Sequence, residues 1–545
     1  MSKWITDTQA SKRFPVYTRS NASDVLPDPI SPLGASLVFI PGVMEGWRDG
    51  NVRNGSVLED EVTFEGFNPC CGFFNGYFYV NASVVRLFGV RSGVGADAID
   101  MAFFGTRPDT PPYVANPADV NEKVSQQLAD RGNWTLTIKE WPHLDESRQQ
   151  ARDARKSRPN LEELTDAQLV ERARSFIDLE KQMFDDHVLT STNTAVGPAV
   201  LGQIVPDLMV RIIAGAGDVD SAAPSHAMFA LSRLPQNSPE FQEGFKDFLY
   251  EYGCRGPNEW DIYSEVWETK PELALAMINS MRNVDTSNDP AKRAAEVVAD
   301  SKVALAEALE RVKGNDEATA MVNMAATSGR LFNSWRERSK TNCVKVLHET
   351  RVAMVELGKR HFASGDIAHP RQVFMLLNEE LDGFIANPKS FTALLNEREK
   401  QWQALWELET PFFVEGDKMV PSIEDLPKRK EVKVDIVKSG DVLQGNAGCS
   451  GIARGRARVI LDPSDPSALE VDDILIAPNT DPAWTPLFVP AGGVVVDVGA
   501  LNSHAVIVSR ELGIPCVVSV VNATKRIPDG AMIEVNGDLG TVTIL

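Results

Sequence analysis

Apolar and polar positions alternate with three different periods along this chain. In its last hundred residues, short apolar runs rich in β-branched residues are separated by turns: Arg454 to Ile460, Asp473 to Ala477, Val494 to Asp497, Cys516 to Val518, Met532 to Val535 and Thr541 to Ile544. Each has the length and composition of a strand. After the third run Gly499 makes a turn, and the spacing from His504 to Leu512, closed by Gly513 and Pro515, predicts a helix. Residues 441–545 therefore read as a small β/β/α domain.

From 118 to 414 the period lengthens to that of helices. Thr165 to Gln168 is a capping box followed by Leu169, Ala173, Phe176, Leu179 and Met183 at helical spacing. Asp289-Pro290 starts another helix that Gly314 closes, and a long helical stretch covers 317 to 363 before Gly365. Residues 1–117 are rich in Gly, Pro, Asn and aromatics, and read as an irregular α+β portion. Ala35 to Ile40 and Gly76 to Asn81 are expected as short strands, and the proline-punctuated stretch Tyr17 to Leu33 as a binding loop, a lid or a surface meander. Residues 415–440, charged and irregular, are expected as a flexible linker.

Composition narrows the class. Of 545 residues, 43% are hydrophobic and 24% charged, values of an ordinary globular chain with room for several domains. The net charge of −21 argues against nucleic acid and anionic membranes as partners. No apolar run has the length of a signal peptide core or a membrane span, so the expected location is the cytoplasm. Six cysteines without C-x-x-C pairs read as reduced thiols, and no metal site is expected.

The candidate chemistry starts at His504. At the start of a helix, free N–H groups and the helix dipole keep an imidazole neutral and welcome an anion beside it. Such a histidine suits phosphoryl carriage; the local pattern fits a simple polar cap equally well. Arg336 and Lys340, four apart on a predicted helix, share a face that can flank a phosphate, with Glu337 beside them to orient or accept a proton. A solvated charged face is the other reading. Arg255, Glu259 and Asp261 form a polar set in a Gly-Pro loop, either in a site or pinning a turn. His187, beside Asp185 and Asp186, is a candidate base or a partner of those carboxylates. The aromatic run Phe73, Phe74, Tyr77, Phe78 and Tyr79 is either a pocket wall or core.

Residues 441–545 resemble the swivelling phosphohistidine domain shared by phosphoenolpyruvate synthase, pyruvate phosphate dikinase and rifampicin phosphotransferase. The resemblance rests on Gly451-Ile452-Ala453-Arg454-Gly455-Arg456-Ala457-Arg458-Val459, on Thr480-Asp481-Pro482-Ala483-Trp484-Thr485-Pro486-Leu487, and on Asp497 through Pro515. It implies that His504 is the phosphoryl carrier and that Asp497, Gly499, Asn502 and Ser503 shape its turn. The family's Gly-Gly-x-Thr-Ser-His becomes Gly499-Ala500-Leu501-Asn502-Ser503-His504 here, altering the turn but keeping the histidine.

Upstream, Tyr17 to Leu33, Tyr252 to Asp261 and Trp335 to Lys340 are similar to the substrate-binding region of the same family, with Cys254 where a histidine is usual. That similarity implies a substrate-binding domain over 1–414, with Arg336, Glu337 and Lys340 catalytic and Arg255, Glu259, Asp261 and His187 near the substrate. The similarity begins at Tyr17, so the ATP-grasp domain that loads the histidine, with its ATP and Mg, is expected on a separate subunit. This arrangement resembles the split phenylphosphate synthases, which implies a phenolic hydroxyl as acceptor. An antibiotic, sugar or other alcohol is the alternative acceptor, and a non-catalytic binding module the alternative role.

Overall fold

A computed structural model describes residues 8–545 apart from 106, 215–219, 221, 417, 419, 433, 464–468 and 502. Near the N-terminus a four-stranded antiparallel sheet runs in the order Cys71–Phe74, Tyr77–Asn81, Val16–Thr18, Phe413–Glu415. Its hairpin turns at Asn75 and Gly76, whose φ values of 54° and 81° are the positive angles a two-residue Asn-Gly turn needs. The fourth strand arrives from the far side of the helical region, so both ends of that region are tied to one sheet. The aromatic run of this hairpin is core: Phe73 and Phe78 pack tilted on each other and edge-on to Phe39, and the Tyr77 hydroxyl donates to the Leu405 carbonyl at 2.8 Å.

Ala35 to Ile40, expected as a strand, lies instead within a π-type helix, Gly34–Met44. A continuous apolar run carries no period to separate a buried helix from a buried strand, and this run is buried on nearly every side. Tyr17 to Leu33 is neither lid nor meander. It contributes a strand residue pair, the short helix Ser20–Val25, and an interior stretch in which Leu26, Ile30 and Leu33 are buried.

The helical region is built on one helix, Asp316–Ala363, 48 residues and therefore about 70 Å long. Asn315 caps its start by accepting from the Ala318 N–H, Asp316 and Glu317 suit its first turn, and Gly365 at φ 73° follows its end. A helix this long usually has a solvated face. Here the stretch from Glu337 to Arg351 is buried together with its polar side chains, because Ile177–Asn193 and neighbouring helices surround it. Capping at Thr165 and Asp289 is as the sequence predicts.

The C-terminal sheet has eight strands in the order Val442–Gln444, Thr541–Ile544, Met532–Asn536, Ile452–Val459, Ile474–Ala477, Gly493–Val496, Cys516–Val518, Asn446–Cys449. The four from Ile452–Val459 to Cys516–Val518 are parallel to one another. Sequence reasoning missed the two edge strands, which are short and carry Gly, Asn and Gln instead of β-branched runs. The connection into this sheet is partly fastened. Asn75 Nδ2 donates to the Pro421 carbonyl at 3.1 Å and Arg429 Nη2 to the Tyr77 hydroxyl at 2.9 Å, whereas Val437 is buried with the C-terminal strands. Among the described residues no helix is long and apolar enough to cross a membrane.

Candidate active site

His504 opens the helix His504–Leu512. Ser503 precedes it in extended backbone, Gly513 at φ 64° ends it, and Ala505, Val506, Val508 and Leu512 bury one flank against the parallel strands. The imidazole is 4% exposed. Its Nδ1 lies 3.0 Å from Thr480 Oγ1 and its Nε2 3.2 Å from Thr485 Oγ1. A hydroxyl both donates and accepts, so either ring nitrogen can carry the proton. Burial, reinforced by Lys340, Arg255 and Arg336, holds the imidazole well below the usual histidine range. The ring is neutral at pH 7, the state a nucleophile needs, and the same three cations favour an anion placed on it.

Around His504 the chain closes a cavity of about 100 Å³. One end is charged and polar: Arg336, Lys340, His187 and Asp24 meet His504 there. The rest of the lining is mainly rings, among them Phe88, Phe103, Phe104, Phe184 and Trp260, with Asn21, Asn51, Ser191 and Thr192 as further polar groups. Four residues singled out in the sequence thus come together from three distant parts of the chain: His187, Arg336, Lys340 and His504. Asp24, on the helix Ser20–Val25, is the residue sequence reasoning missed. An aspartate in Ser-Asn-Ala-Ser-Asp reads as a turn, and only the tertiary fold brings it to Lys340. Removal from bulk water, with Asp481 adding repulsion against the pull of Lys340 and Arg336, raises the Asp24 carboxyl to about 7.

His187 does not partner its neighbouring carboxylates. Asp185 binds Arg53 at 2.9 Å, and Asp186 binds Arg53 at 2.7 Å and Ser147 at 2.8 Å. The His187 ring turns to the long helix, with Nδ1 at 3.1 Å from Ser339 Oγ, and the Ser339 hydroxyl donates to the Arg336 carbonyl at 2.9 Å. The His187 Nε2 lies 3.5 Å from Ser191 Oγ, so both ring nitrogens face a hydroxyl and either can carry the proton. Burial and the two nearby cations keep His187 neutral.

The remaining expected site residues do not line the cavity. Glu337 binds Arg336 Nη1 at 2.5 Å, a contact that suits an orienting group. Arg255 is buried, bridging Glu259 at 2.6 Å and Thr341 Oγ1 at 2.5 Å, and acts on His504 by its charge. Asp261 accepts from the Ser31 N–H at 2.7 Å and the Ser31 hydroxyl at 2.6 Å, fixing the stretch that ends beside Gly34. Arg351 donates to the Glu259 and Asp261 carbonyls, so the whole loop is pinned to the long helix. A short apolar-flanked loop with three charges looks the same in sequence whether it binds substrate or is clamped from within. Asp497 lies behind the site, accepting from the Thr524 N–H at 2.8 Å and from its hydroxyl. Gly499 accepts from the Ser519 hydroxyl. Asn502 lies outside the described residues. Ser503 Oγ is buried with no hydrogen-bond partner, a free hydroxyl next to the reactive ring.

The C-terminal body meets the rest of the chain around this cavity. Asn479 Nδ2 donates to the Ser23 carbonyl at 2.5 Å, and the Asn258 N–H donates to Asp481 at 3.1 Å. Gly105, at φ 72°, lies so close to the histidine turn that a Cβ there would be 2.6 Å from the Gly499 carbonyl oxygen and nearer still to Ser519 Oγ.

A model of the PEP-utilising enzyme mobile domain matches residues 469–540, the segment that carries His504. This part of the chain is similar to that mobile domain. A second model, the rifampicin phosphotransferase fourth domain, matches residues 202–337 and ends within the Arg336-Glu337 pair. Over 306 residues the chain is 29% identical to rifampicin phosphotransferase of Bacillus subtilis, covering 56% of this chain and 34% of that protein. With the Streptomyces sviceus rifampicin phosphotransferase it shares 28% identity over 345 residues, 62% of this chain and 37% of the relative. The uncharacterized phosphotransferase YvkC of Bacillus subtilis is 27% identical over 319 residues, 56% and 36% of the two chains. The chain spans about a third of the length of the curated relatives it matches. Both matched models meet at the cavity, where the mobile domain presents its histidine to the helical region.

Proposed function

We propose that this protein transfers a phosphoryl group from His504 to the hydroxyl of a small phenolic compound. One observation carries the reading: the buried neutral histidine shares a ring-lined cavity with Lys340, Arg336 and a carboxyl poised near 7. In the cycle we infer, ATP and water yield AMP and phosphate on a separate ATP-grasp subunit that holds ATP and Mg, and one phosphoryl group passes to His504. The mobile domain then brings phosphohistidine to the cavity. There the phenolic oxygen attacks phosphorus, the P–N bond breaks, the imidazole regains its lone pair, and the phenolic proton goes to Asp24.

Each residue has a physical task in this step. Phosphoryl transfer needs in-line placement and compensation of charge on the transferring oxygens. Lys340 and Arg336 provide the compensation, Glu337 holds Arg336 in place, and the unpartnered Ser503 hydroxyl is available to donate to a phosphoryl oxygen. Asp24 suits general-base work because a base is most effective with a pKa near the working pH. His187, a weaker base, orients the acceptor.

Size favours one ring over a drug-sized acceptor. The cavity of about 100 Å³ is of the order of an engineered apolar cavity of about 150 Å³ that takes up benzene, and well under the roughly 300–1,000 Å³ of drug-sized sites. The test is a screen of phenols, alkylphenols, aliphatic alcohols and rifampicin against protein labelled at His504. Transfer to phenols and none to rifampicin is the expected result. Transfer only to aliphatic alcohols or to rifampicin would overturn the phenol assignment.

A further inference from the structure

A second cavity, of about 250 Å³, lies where the helices Pro142–Lys156, Pro239–Tyr252 and Asp316–Ala363 converge. Its lining carries four cations, Arg152, Arg155, Lys156 and Lys345, against two carboxylates, Glu251 and Asp153, the latter accepting from Gln149 Nε2 at 2.9 Å, with Tyr250 beside them. It shares no lining residue with the cavity around His504. Positive charge is concentrated here in a chain whose net charge is −21.

The ion pairs leave that charge incompletely matched. Glu251 is shared between Lys345 at 2.6 Å and Arg152 at 3.8 Å. Glu268 is shared between Arg155 and Arg158, and Glu349 between Arg158 and Arg172. His348 touches Glu268 but burial holds its imidazole near 4, so it adds no charge at neutral pH. Arg155 Nε is shut off from solvent with no hydrogen-bond partner, a donor in want of an acceptor. Tyr250 is 54% exposed, and the Arg155 guanidinium lies 4.8 Å from its ring centre. An exposed aromatic face beside convergent cations suits a flat ring joined to an anion.

We propose that this cavity binds a small phosphate monoester, its phosphate held by Arg152, Lys156 and Lys345 and its organic part set against Tyr250. The volume exceeds what an inorganic phosphate ion fills, which is why the ligand is organic. The position gives binding a route to the first cavity. Lys345 is five residues beyond Lys340 on the same helix, and Cys254, in the cavity wall, adjoins Arg255, whose charge faces His504.

The proposal stands apart from the identity of the phosphoryl acceptor and is tested by calorimetry on the full chain. Phenyl phosphate and AMP represent the two sources of such a group, an aryl ester and a nucleotide, with inorganic phosphate as the bare anion. At least one ester is expected to bind, more tightly than inorganic phosphate. The double variant Arg152→Gln with Lys345→Met should weaken that binding ten-fold or more. Glu251→Gln, which removes the competing carboxylate, should tighten it several-fold. The component of binding that the double variant removes should persist in Arg336→Gln, separating this cavity from the one around His504. Absence of ester binding at millimolar concentration, equal binding of inorganic phosphate, or loss of binding in Arg336→Gln but not in the double variant would each overturn the proposal.

Discussion

At the scale of single residues, a phosphoryl acceptor histidine must be neutral, and a base for the second transfer must ionise near the working pH. Burial serves both ends with opposite consequences. It depresses His504, where Lys340, Arg255 and Arg336 add to the effect, and it raises Asp24, where Lys340 and Arg336 oppose it. If Asp24 takes the phenolic proton, transfer from phosphohistidine should rise with pH through about 7, as the carboxylate forms. Asp24→Asn should lower that rate by about 10²–10⁴-fold and flatten the rise, while His187→Gln should keep the pH profile. Rapid-quench measurement of aryl phosphate against pH decides it; an unchanged profile in Asp24→Asn would remove Asp24 from the mechanism. Lys340→Met should cost about 10²–10³-fold in the same step by removing charge compensation. His504, Arg336 and Lys340 were legible through the family resemblance, since a histidine at a helix start and cations at helical spacing fit a polar cap and a solvated face as well; His187 was named for the neighbouring Asp185 and Asp186, neither of which it partners. Asp24 had no local signature: its role arises from what folds against it.

At the scale of elements, the long helix and the loop from Tyr252 to Asp261 act as one frame. The buried polar run from Glu337 to Arg351 costs desolvation, which is offset where other elements meet its charges: Arg158 and Arg172 meet Glu349, Glu251 meets Lys345, and the carbonyls of Glu259 and Asp261 meet Arg351. Helical periodicity announced the helix but not that its polar side is interior, since burial of a polar run depends on neighbours that no window of sequence contains. The same holds for Ala35 to Ile40, where a run apolar on all sides gave no period to read. Gly105, after the helix Asp100–Phe104, is a point of close approach between the N-terminal part and the histidine turn. Any side chain there meets Gly499 and Ser519 and must also adopt a positive φ, a cost on the order of 1–3 kcal/mol. Gly105→Val should therefore slow transfer to the acceptor by about ten-fold or more. Loading of His504, which takes place away from this contact in the account given, should be unaffected. Equal slowing of both half-reactions would place the defect in the fold and not in docking.

At the scale of the whole molecule, His504 completes the cavity, and the C-terminal part meets the helical region through polar contacts beside it and through Val489, which is buried in one apolar cluster with Phe229, Trp267 and Met277. Asp481 is raised to about 7 by burial and by Glu259, against the pull of the Asn258 and Ala483 N–H groups and Lys340. A carboxyl whose pKa is raised on docking takes up a proton as it docks, so docking weakens as pH climbs from about 4 to about 7. Fluorescence energy transfer between dyes on the two bodies should report more docked protein at pH 5.5 than at pH 8, with the difference reduced in Asp481→Asn. A disulfide between Ser23→Cys and Asn479→Cys, whose parent residues share a hydrogen bond, should hold the docked state and block loading by a partner. Six of the eight C-terminal strands were readable from their apolar runs and the two edge strands were not; how this part meets the helices was not readable either, because the contact combines single polar side chains with apolar residues such as Val489 that look like any core position. The most direct measurement of the central claim needs no partner subunit. The protein is phosphorylated with phosphoramidate, freed of reagent, and mixed with phenol while phosphorus resonance follows the phosphohistidine signal. The account predicts that this signal gives way to phenyl phosphate in wild type, and that His504→Ala forms neither species. A wild-type phosphohistidine that only hydrolyses to inorganic phosphate, or a His504→Ala protein that still yields phenyl phosphate, would contradict it.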